Sequence, residues 1–450
     1  MKKITTLLHY SILVFLVATS LVQAQCWEKV QGGHWNSFGI KADGTLWAWG
    51  DGDSRMSTNS TTPLRIGTAS NWTNFSASYW HTLLQKSDGT LWAWGQNDEG
   101  QLGDGTIGDS SLPVPISNVT NWTSFAVGVY HSFAIQSNGT LWAWGKNTNG
   151  QLGVGSNTNK YIPTQVGTAT WSQVAGGDRH SIAIQSNGTL WTWGANDFGQ
   201  LGDGTTTAKN TPVQIGTGTN WAQIEAGELN SFAIKTDGTL WAWGYNYFGQ
   251  LGTGNFATTA SPTQIGTATN WVKVTSGHSH TLAINEEGKL FAWGSNSNGQ
   301  LGGGGSNGFA LNNSTDWNQI TVGYTHSLAL KNDGSLWVWG ENYYGQLGNG
   351  VAIDLWTPTV ISCPVTLATE TFTTHAVSIY PNPTHDLLTI DAKEGQLERI
   401  EVYDLLGRPI LSSPATSTTS QLDLSELEKA TYLLKVVTNK GVQEMKIVKE

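Results

Sequence analysis

Residue types able to do chemistry recur in this chain at one repeated position. It holds His81, His131, His180, His280 and His326, with Asn36 and Asn230 filling the two gaps in the series. Imidazoles spaced around a ring could converge on a metal at its axis. The alternative is structural: a histidine at a strand start that hydrogen-bonds backbone between neighbouring units. Asparagine can replace it there, because it too offers a donor and an acceptor. Repeated positions in arrays generally serve repeat packing, so the structural role is expected and no metal or cofactor is assigned. Asp98, Asp178, Asp197 and Glu228 are single carboxylates, and nothing in their spacing pairs two of them for acid–base work. The sequence has no His-Glu-x-x-His, no Cys-x-x-Cys and no phosphate loop with Gly-Lys-Ser/Thr. Gly304-Gly305-Ser306-Asn307-Gly308 fits Gly-x-Ser-x-Gly, but in a glycine-rich run without a strand-to-helix turn. Gly303, Gly305 and Gly308 match a dinucleotide fingerprint with as little context.

The elements that hold these positions are legible from a repeat. Trp-x-Trp-Gly ends at Gly50, Gly95, Gly145, Gly194, Gly244 and Gly340, and Phe291-Ala292-Trp293-Gly294 supplies a seventh copy. Copies are 45 to 50 residues apart between Cys26 and Cys363, and all 23 Trp lie in that stretch. Asn138-Gly139 between two short apolar runs predicts a hairpin turn. The same slot holds Asp43-Gly44, Asp88-Gly89, Asn187-Gly188, Asp237-Gly238, Glu287-Gly288 and Asp333-Gly334. A hairpin with one strand before it and a short one after it makes a four-stranded sheet. Such a small unit cannot bury both faces alone, so seven of them must stack radially as a propeller. The paired indoles fill the wedges between sheets. Two units depart from the pattern. The first has Asp51 to Met56 in place of Gly-Gln-Leu-Gly, and the sixth lacks the Pro-Thr-Gln-Ile-Gly tail, so their outer strands are the least defined.

The unit, Gly-x-x-His-Ser-x-Ala-Ile-x-x-Asp-Gly-Thr-Leu-Trp-x-Trp-Gly-x-Asn-x-x-Gly-Gln-Leu-Gly, resembles the repeat of the regulator-of-chromosome-condensation family. The resemblance covers about three quarters of the chain and implies a seven-bladed propeller, in agreement with the spacing. It also implies, by analogy with the family's eukaryotic founder, guanine-nucleotide exchange.

Composition and termini bear on that analogy. The net charge of −10 and 12% charged residues argue against nucleic acid or an anionic membrane as the main partner. Lys2 and Lys3, an apolar run near Ile12 to Ala18 and a small-residue site ending at Ala24 read as a signal peptide over residues 1–24. The run is too short for a comfortable span, and no other segment is long and apolar enough to cross a bilayer. Export separates the chain from cytosolic GTPases. It also puts Cys26 and Cys363, the only two cysteines, in an oxidising compartment, where a disulfide is expected. Gln25 stands where a lipoprotein signal carries Gly, Ala or Ser, which disfavours lipidation of Cys26.

The propeller is therefore assigned to 26–363 and a linker to 364–375. After that, Trp disappears and short alternating strands over 376–450 read as a small Ig-like β-sandwich. Tyr380-Pro381-Asn382-Pro383, Val402-Tyr403-Asp404-Leu405-Leu406-Gly407-Arg408, Tyr432-Leu433-Leu434-Lys435-Val436 and Lys446-Ile447-Val448-Lys449 resemble a type A sorting domain. That resemblance implies the type IX secretion machinery as a partner, and a secreted or cell-surface destination.

Positions that vary between units are the candidates for binding. In a hairpin the turn lies at one end and both outer strand ends at the other. The two residues before the repeated His, and the two before Gly-Gln-Leu-Gly, should therefore share the face opposite the Asp-Gly turns. The first set gives Trp35, Trp80, Tyr130, Arg179, Leu229, His278 and Tyr324. The second gives Phe198, Tyr247, Phe248, Tyr343 and Tyr344, with Glu99 and Asn149. Trp, Tyr and Arg are enriched at binding hot spots, and aromatic faces suit sugars. The expected function is a non-enzymatic binding protein for a protein or glycan. The alternatives are nucleotide exchange and an exported polysaccharide-active enzyme.

Overall fold

The computed structural model describes residues 26–52, 59–303, 309–311, 314–361, 363, 377–393, 395–404, 408–439 and 441–450. The expected signal peptide and linker, Asp53 to Met56 and Gly304 to Gly308 lie outside these residues. The fold is all-β, and no helix among the described residues is long and apolar enough to cross a membrane.

Blade 3 shows how the repeat becomes structure. Its strands are Trp122–Val127, His131–Gln136, Leu141–Gly145 and Lys160–Gln165, hydrogen-bonded in chain order and antiparallel. In the first strand Trp122, Phe125 and Val127 are buried while Thr123 is exposed. The hairpin turn places Gly139 at φ 81°, a conformation that glycine adopts without steric penalty. Asn138 Oδ1 accepts the Thr140 amide at 3.0 Å and its hydroxyl at 2.7 Å. Trp142 Nε1 then donates to Thr140 Oγ1 at 3.1 Å, which locks the indole onto the turn.

Seven such four-stranded sheets follow one another, and the core lies between them. Leu83, Leu91 and Ala93 of blade 2 pack on Trp122, Phe125 and Trp144 of blade 3. The ring closes in the same way, with Trp27, Val30, Trp47 and Trp49 of blade 1 against Leu328, Leu330, Leu336 and Val338 of blade 7. A Cys26–Cys363 disulfide joins the start of blade 1 to the end of blade 7, with the Cα atoms 5.9 Å apart. Blade 6 keeps only a two-residue outer strand, Phe309–Ala310, whereas blade 1 has a full one, Ser60–Arg65. The reason is the tail. Blade 1 retains Pro63-Leu64-Arg65-Ile66-Gly67, and blade 6 has no counterpart to it.

The chain divides after Pro364 into two compact units. The second is a β-sandwich. One sheet holds Val377–Tyr380, Leu387–Ala392 and Thr419–Asp423; the other holds Pro409–Pro414, Leu397–Tyr403, Thr431–Thr438 and Gly441–Val448. Leu388, Ile390 and Leu422 of the first sheet share a core with Ile400, Val402, Leu434 and Val436 of the second.

Candidate binding face

The repeated histidines bind the blades to one another. His81 Nε2 lies 2.7 Å from Ser132 Oγ of the next blade. The same bond joins His131 to Ser181, His180 to Ser231, His280 to Ser327 and, across the closure, His326 to Ser37, at 2.9–3.2 Å. Each serine gives its single proton to the carbonyl of Gln101, Gln151, Gln200, Gln300 or Gln346 at 2.7–2.9 Å. The imidazole must then donate from Nε2, which fixes its tautomer. Burial pushes the imidazoles of His81, His131, His280 and His326 down to about 3, and that of His180 to about 4. The expected link between blades is present: the backbone of Val129, His180, Asn230 and Asn36 interacts with His81, His131, His180 and His326, and a side chain joins it. That side-chain acceptor is a serine hydroxyl, because Ser follows the repeated position in five blades; the other two carry Thr82 and Thr281, and these follow the blades that hold Asn36 and Asn230 in place of His. Among the described residues no group of three His, Cys, Asp or Glu is placed to hold a metal.

The loop between first and second strands is a tight turn, with Gly128 N donating to His131 O at 2.8 Å. Six blades have Gly at this turn and blade 2 has Ser78, whose amide donates to His81 O at 3.0 Å; the residue that follows is the axial one: His34, Tyr79, Val129, Asp178, Glu228, His278 and Tyr324, one from each blade. Backbone bonds stitch neighbours together, Val129 N to Gly177 O at 3.0 Å and Asp178 N to Glu228 O at 3.0 Å. At Gly177 the space is tight: a Cβ there would lie 2.3 Å from His180 Cε1, whereas in blade 2 the Ser78 hydroxyl lies 3.3 Å from His81 Nδ1.

These side chains, except His278, surround a depression of about 420 Å³ together with Trp80, Tyr130, Lys146 and Arg179. Glu228 is its hub. Its Oε2 accepts Tyr79 Oη at 3.3 Å and also His278 Nδ1. Burial, and then the Glu228 charge, push the Tyr79 hydroxyl well above its ordinary range. Burial raises the Asp178 carboxyl against the opposing pull of Arg179, whose Nε lies 2.9 Å away. Burial lowers His34 to about 4, and its buried Nδ1 has no protein partner. Lys146 pairs with Glu99 at 2.9 Å and sits 4.7 Å from the centre of the Tyr130 ring. Beneath, the inner strands enclose an axial cavity of about 220 Å³, where Glu225 is pushed up to about 7 by burial.

An aromatic chain crosses the same face. Phe198 meets Tyr245 at 4.9 Å, Tyr245 meets Tyr247 and Phe248, and Phe248 meets His278 at 6.2 Å. His278 stacks on Tyr324 at 4.5 Å, and Tyr324 meets His34 at 4.6 Å. His34 stacks on Trp35 at 3.9 Å and touches Trp80; Trp35 stacks on Tyr344, which meets Tyr343. Nine of the twelve sequence candidates thus form one network: Trp35, Trp80, His278, Tyr324, Phe198, Tyr247, Phe248, Tyr343 and Tyr344. Tyr130 and Arg179 line the depression beside it. Leu229 makes no ring contact, and its carbonyl accepts the Tyr245 amide at 3.0 Å. Sequence reasoning missed His34, Tyr79 and Lys146, and named Asp178 and Glu228 only as scattered acids. A fixed offset of two before the repeated His would have found the whole axial set.

A ring of seven blades, six with Trp-x-Trp-Gly and one with Phe-Ala-Trp-Gly, clasped by a disulfide and followed by a β-sandwich, defines a β-propeller protein. Residues 14–265, more than half of the chain, match the RCC1-like domain. Residues 271–300 and 317–346, and again 287–330 and 333–376, match the regulator of chromosome condensation (RCC1) repeat. The chain belongs to the RCC1-like family. Residues 378–450 match the secretion system C-terminal sorting domain, so the protein is exported by type IX secretion to the cell surface or extracellular space. Human WBSCR16 is similar in fold at TM-score 0.61 and 24% identity, over 68% of this chain and 85% of that one. Saccharomyces cerevisiae Prp20p, described with its binding properties to Gsp1p and histones, reaches 0.64 at 23% identity, over 76% and 89%. Yeast RCC1 (Prp20) bound to Kap60 reaches 0.64 at 21% identity, over 84% and 94%. At such identities the likeness shows the fold alone. No curated protein matches the chain.

Proposed function

We propose that this protein is a non-enzymatic binding protein acting outside the cell, and that it presents the face described above to a protein or glycan. The observation that carries this reading is the unbroken aromatic chain from Phe198 to Tyr343. Rings that served only to pack blades would be buried, whereas Tyr247, which stacks on Tyr245, is 69% exposed and Tyr343, at one end of the chain, is 73% exposed. An exposed aromatic surface around a polar depression has the anatomy of a binding site. The test is capture of partners by the purified mature protein, comparing wild type with a Trp35→Ala/Trp80→Ala double variant. Loss of the captured partner supports the reading; undiminished capture moves the site off this face.

One observation favours a second reading, an exported polysaccharide-active enzyme. Asp178 and Glu228 line the same depression, and a burial-raised carboxyl beside a hydrogen-bonded one is the arrangement that glycoside hydrolysis uses. Release of reducing sugar from polysaccharides, abolished by Glu228→Gln, distinguishes it from plain binding. Nucleotide exchange has no comparable support, because export removes the chain from its substrate and a fold does not carry an activity.

A further inference from the structure

We infer that the axial depression is a seat for the uncharged end of a saccharide chain, one or two sugar units deep. This rests on the reading of the loop face as the binding face and adds what occupies it. Three features of the depression select the occupant.

The first is shape. The lining comes from blades 1, 2, 3, 4, 5 and 7, so walls surround the axis instead of flanking a groove. A surrounded pit admits a chain end, whereas a cleft lets a polymer pass through. Its volume of about 420 Å³ is at the small end of ligand sites, which run roughly 300–1,000 Å³.

The second is charge. Lys146 and Arg179 face Asp178 and Glu228, two cations against two carboxylates, and Arg179 and Lys146 are already paired, with Asp178 and Glu99. Little net charge remains to select an ion. What remains is unused hydrogen-bonding capacity held in fixed positions. Among the described residues Glu228 Oε1 and the terminal nitrogens of Arg179 take no protein partner, while Tyr79, His278 and Asp178 hold those two side chains in place. His34 Nδ1 is buried and also unpartnered. Planar carboxylate and guanidinium groups are matched by adjacent hydroxyls, each of which both donates and accepts.

The third is the wall. Trp80 is braced edge-on by His34 at 5.0 Å, and Tyr130 carries Lys146 on one face. Trp80 therefore offers an indole surface beside the fixed polar groups. A pyranose ring has the complementary makeup, with a face of C–H groups and a rim of hydroxyls.

The test uses the mature full chain on a panel of immobilised neutral and acidic oligosaccharides, followed by titration with free neutral mono- and disaccharides. The expected result is binding to neutral glycans that share one terminal unit, competed by that free unit. Trp80→Ala and, separately, Arg179→Ala should each weaken it at least about tenfold with near-UV circular dichroism unchanged. Ligand-observed NMR on the free sugar gives a second readout independent of immobilisation. Binding only to acidic glycans, lost at high salt, would overturn the inference. So would glycan binding that survives both substitutions. Capture of a protein through this face, with no glycan bound, would overturn it and leave the binding-face reading standing. Loss of neither kind of partner on substituting the face would remove both.

Discussion

Lowering the pH from about 7.5 to 5.5 loads protons onto the unfolded chain that the folded propeller cannot take up. The five inter-blade imidazoles are held neutral, at about 3 for four of them and about 4 for His180. An unfolded histidine titrates near 6.5. Because the folded value is depressed, the stabilisation is complete above the unfolded value and drains away as pH falls below it. Over this window each histidine forfeits about 1.4 kcal/mol, and the five together about 7 kcal/mol. His34, at about 4, adds a similar increment. Glu225, raised to about 7, works the other way: its folded form gains a proton first and returns roughly 2 kcal/mol. The net loss is about 6–7 kcal/mol, comparable to the whole stability of many domains. The assay is urea denaturation followed by tryptophan fluorescence at a series of pH values. His180→Asn supplies the control, because blades 1 and 5 already carry Asn36 and Asn230 at this position. It should flatten the acid limb by about 1.4 kcal/mol over the same interval. A midpoint that does not move between the two pH values, or an acid limb unchanged in His180→Asn, would refute the assignment of neutral imidazoles.

Three further outcomes follow from the same geometry. Cys363→Ser should lower propeller stability by up to about 5–6 kcal/mol, the loop-closure estimate for a separation of 337 residues, read as a shift in thermal unfolding that reductant reproduces in the wild type. Gly177→Ala should lower the urea midpoint of the propeller without abolishing folding, since its Cβ would meet His180 Cε1 at 2.3 Å and Gly227 O at 2.6 Å while blade 2 accommodates Ser78 at the same turn; Gly108→Ala, with nothing within 4 Å, should be silent in the same measurement. Ser231→Ala strands the His180 Nε2 donor and should lower stability by about 1–3 kcal/mol in urea titration, with the folded spectrum unchanged.

The architecture was legible because its determinants are local and repeat. A turn glycine, a Trp-x-Trp-Gly strand and a buried His report one blade, and six further copies report the ring. Blade 6 shows the limit of that logic: its missing Pro-Thr-Gln-Ile-Gly tail marked the right blade, and Phe309–Ala310 is what remains of the outer strand. Blade 1 was flagged as well but keeps Ser60–Arg65, because the tail, and not the Gly-Gln-Leu-Gly loop, supplies the pairing residues. In the C-terminal unit alternating apolar residues mark strands at 387–390, 400–403, 432–437 and 444–448, inside four of the seven described strands. Pro409–Pro414 and Thr419–Asp423 are left unmarked, since their polar and proline-rich sequences show no alternation, and the short Val377–Tyr380 is a third. The binding face was half legible. Loop positions followed from hairpin geometry, but which side chain turns to the axis depends on a single-residue offset. Large neighbours such as Trp80 and Tyr130 drew attention from Tyr79 and Val129. That Asp178 and Glu228, fifty residues apart in the chain, would line one depression depends on the circle itself, which no local pattern encodes.

The clasp between the first and last blades also bears on biogenesis. Its second half, Cys363, is synthesised after all seven sectors, and the export address at 378–450 follows it. A chain cut short at any earlier codon has neither the covalent lock nor the address. The residues that complete the ring, lock it and address it thus follow one another in the chain, so a polypeptide that lacks the last blade lacks the address as well.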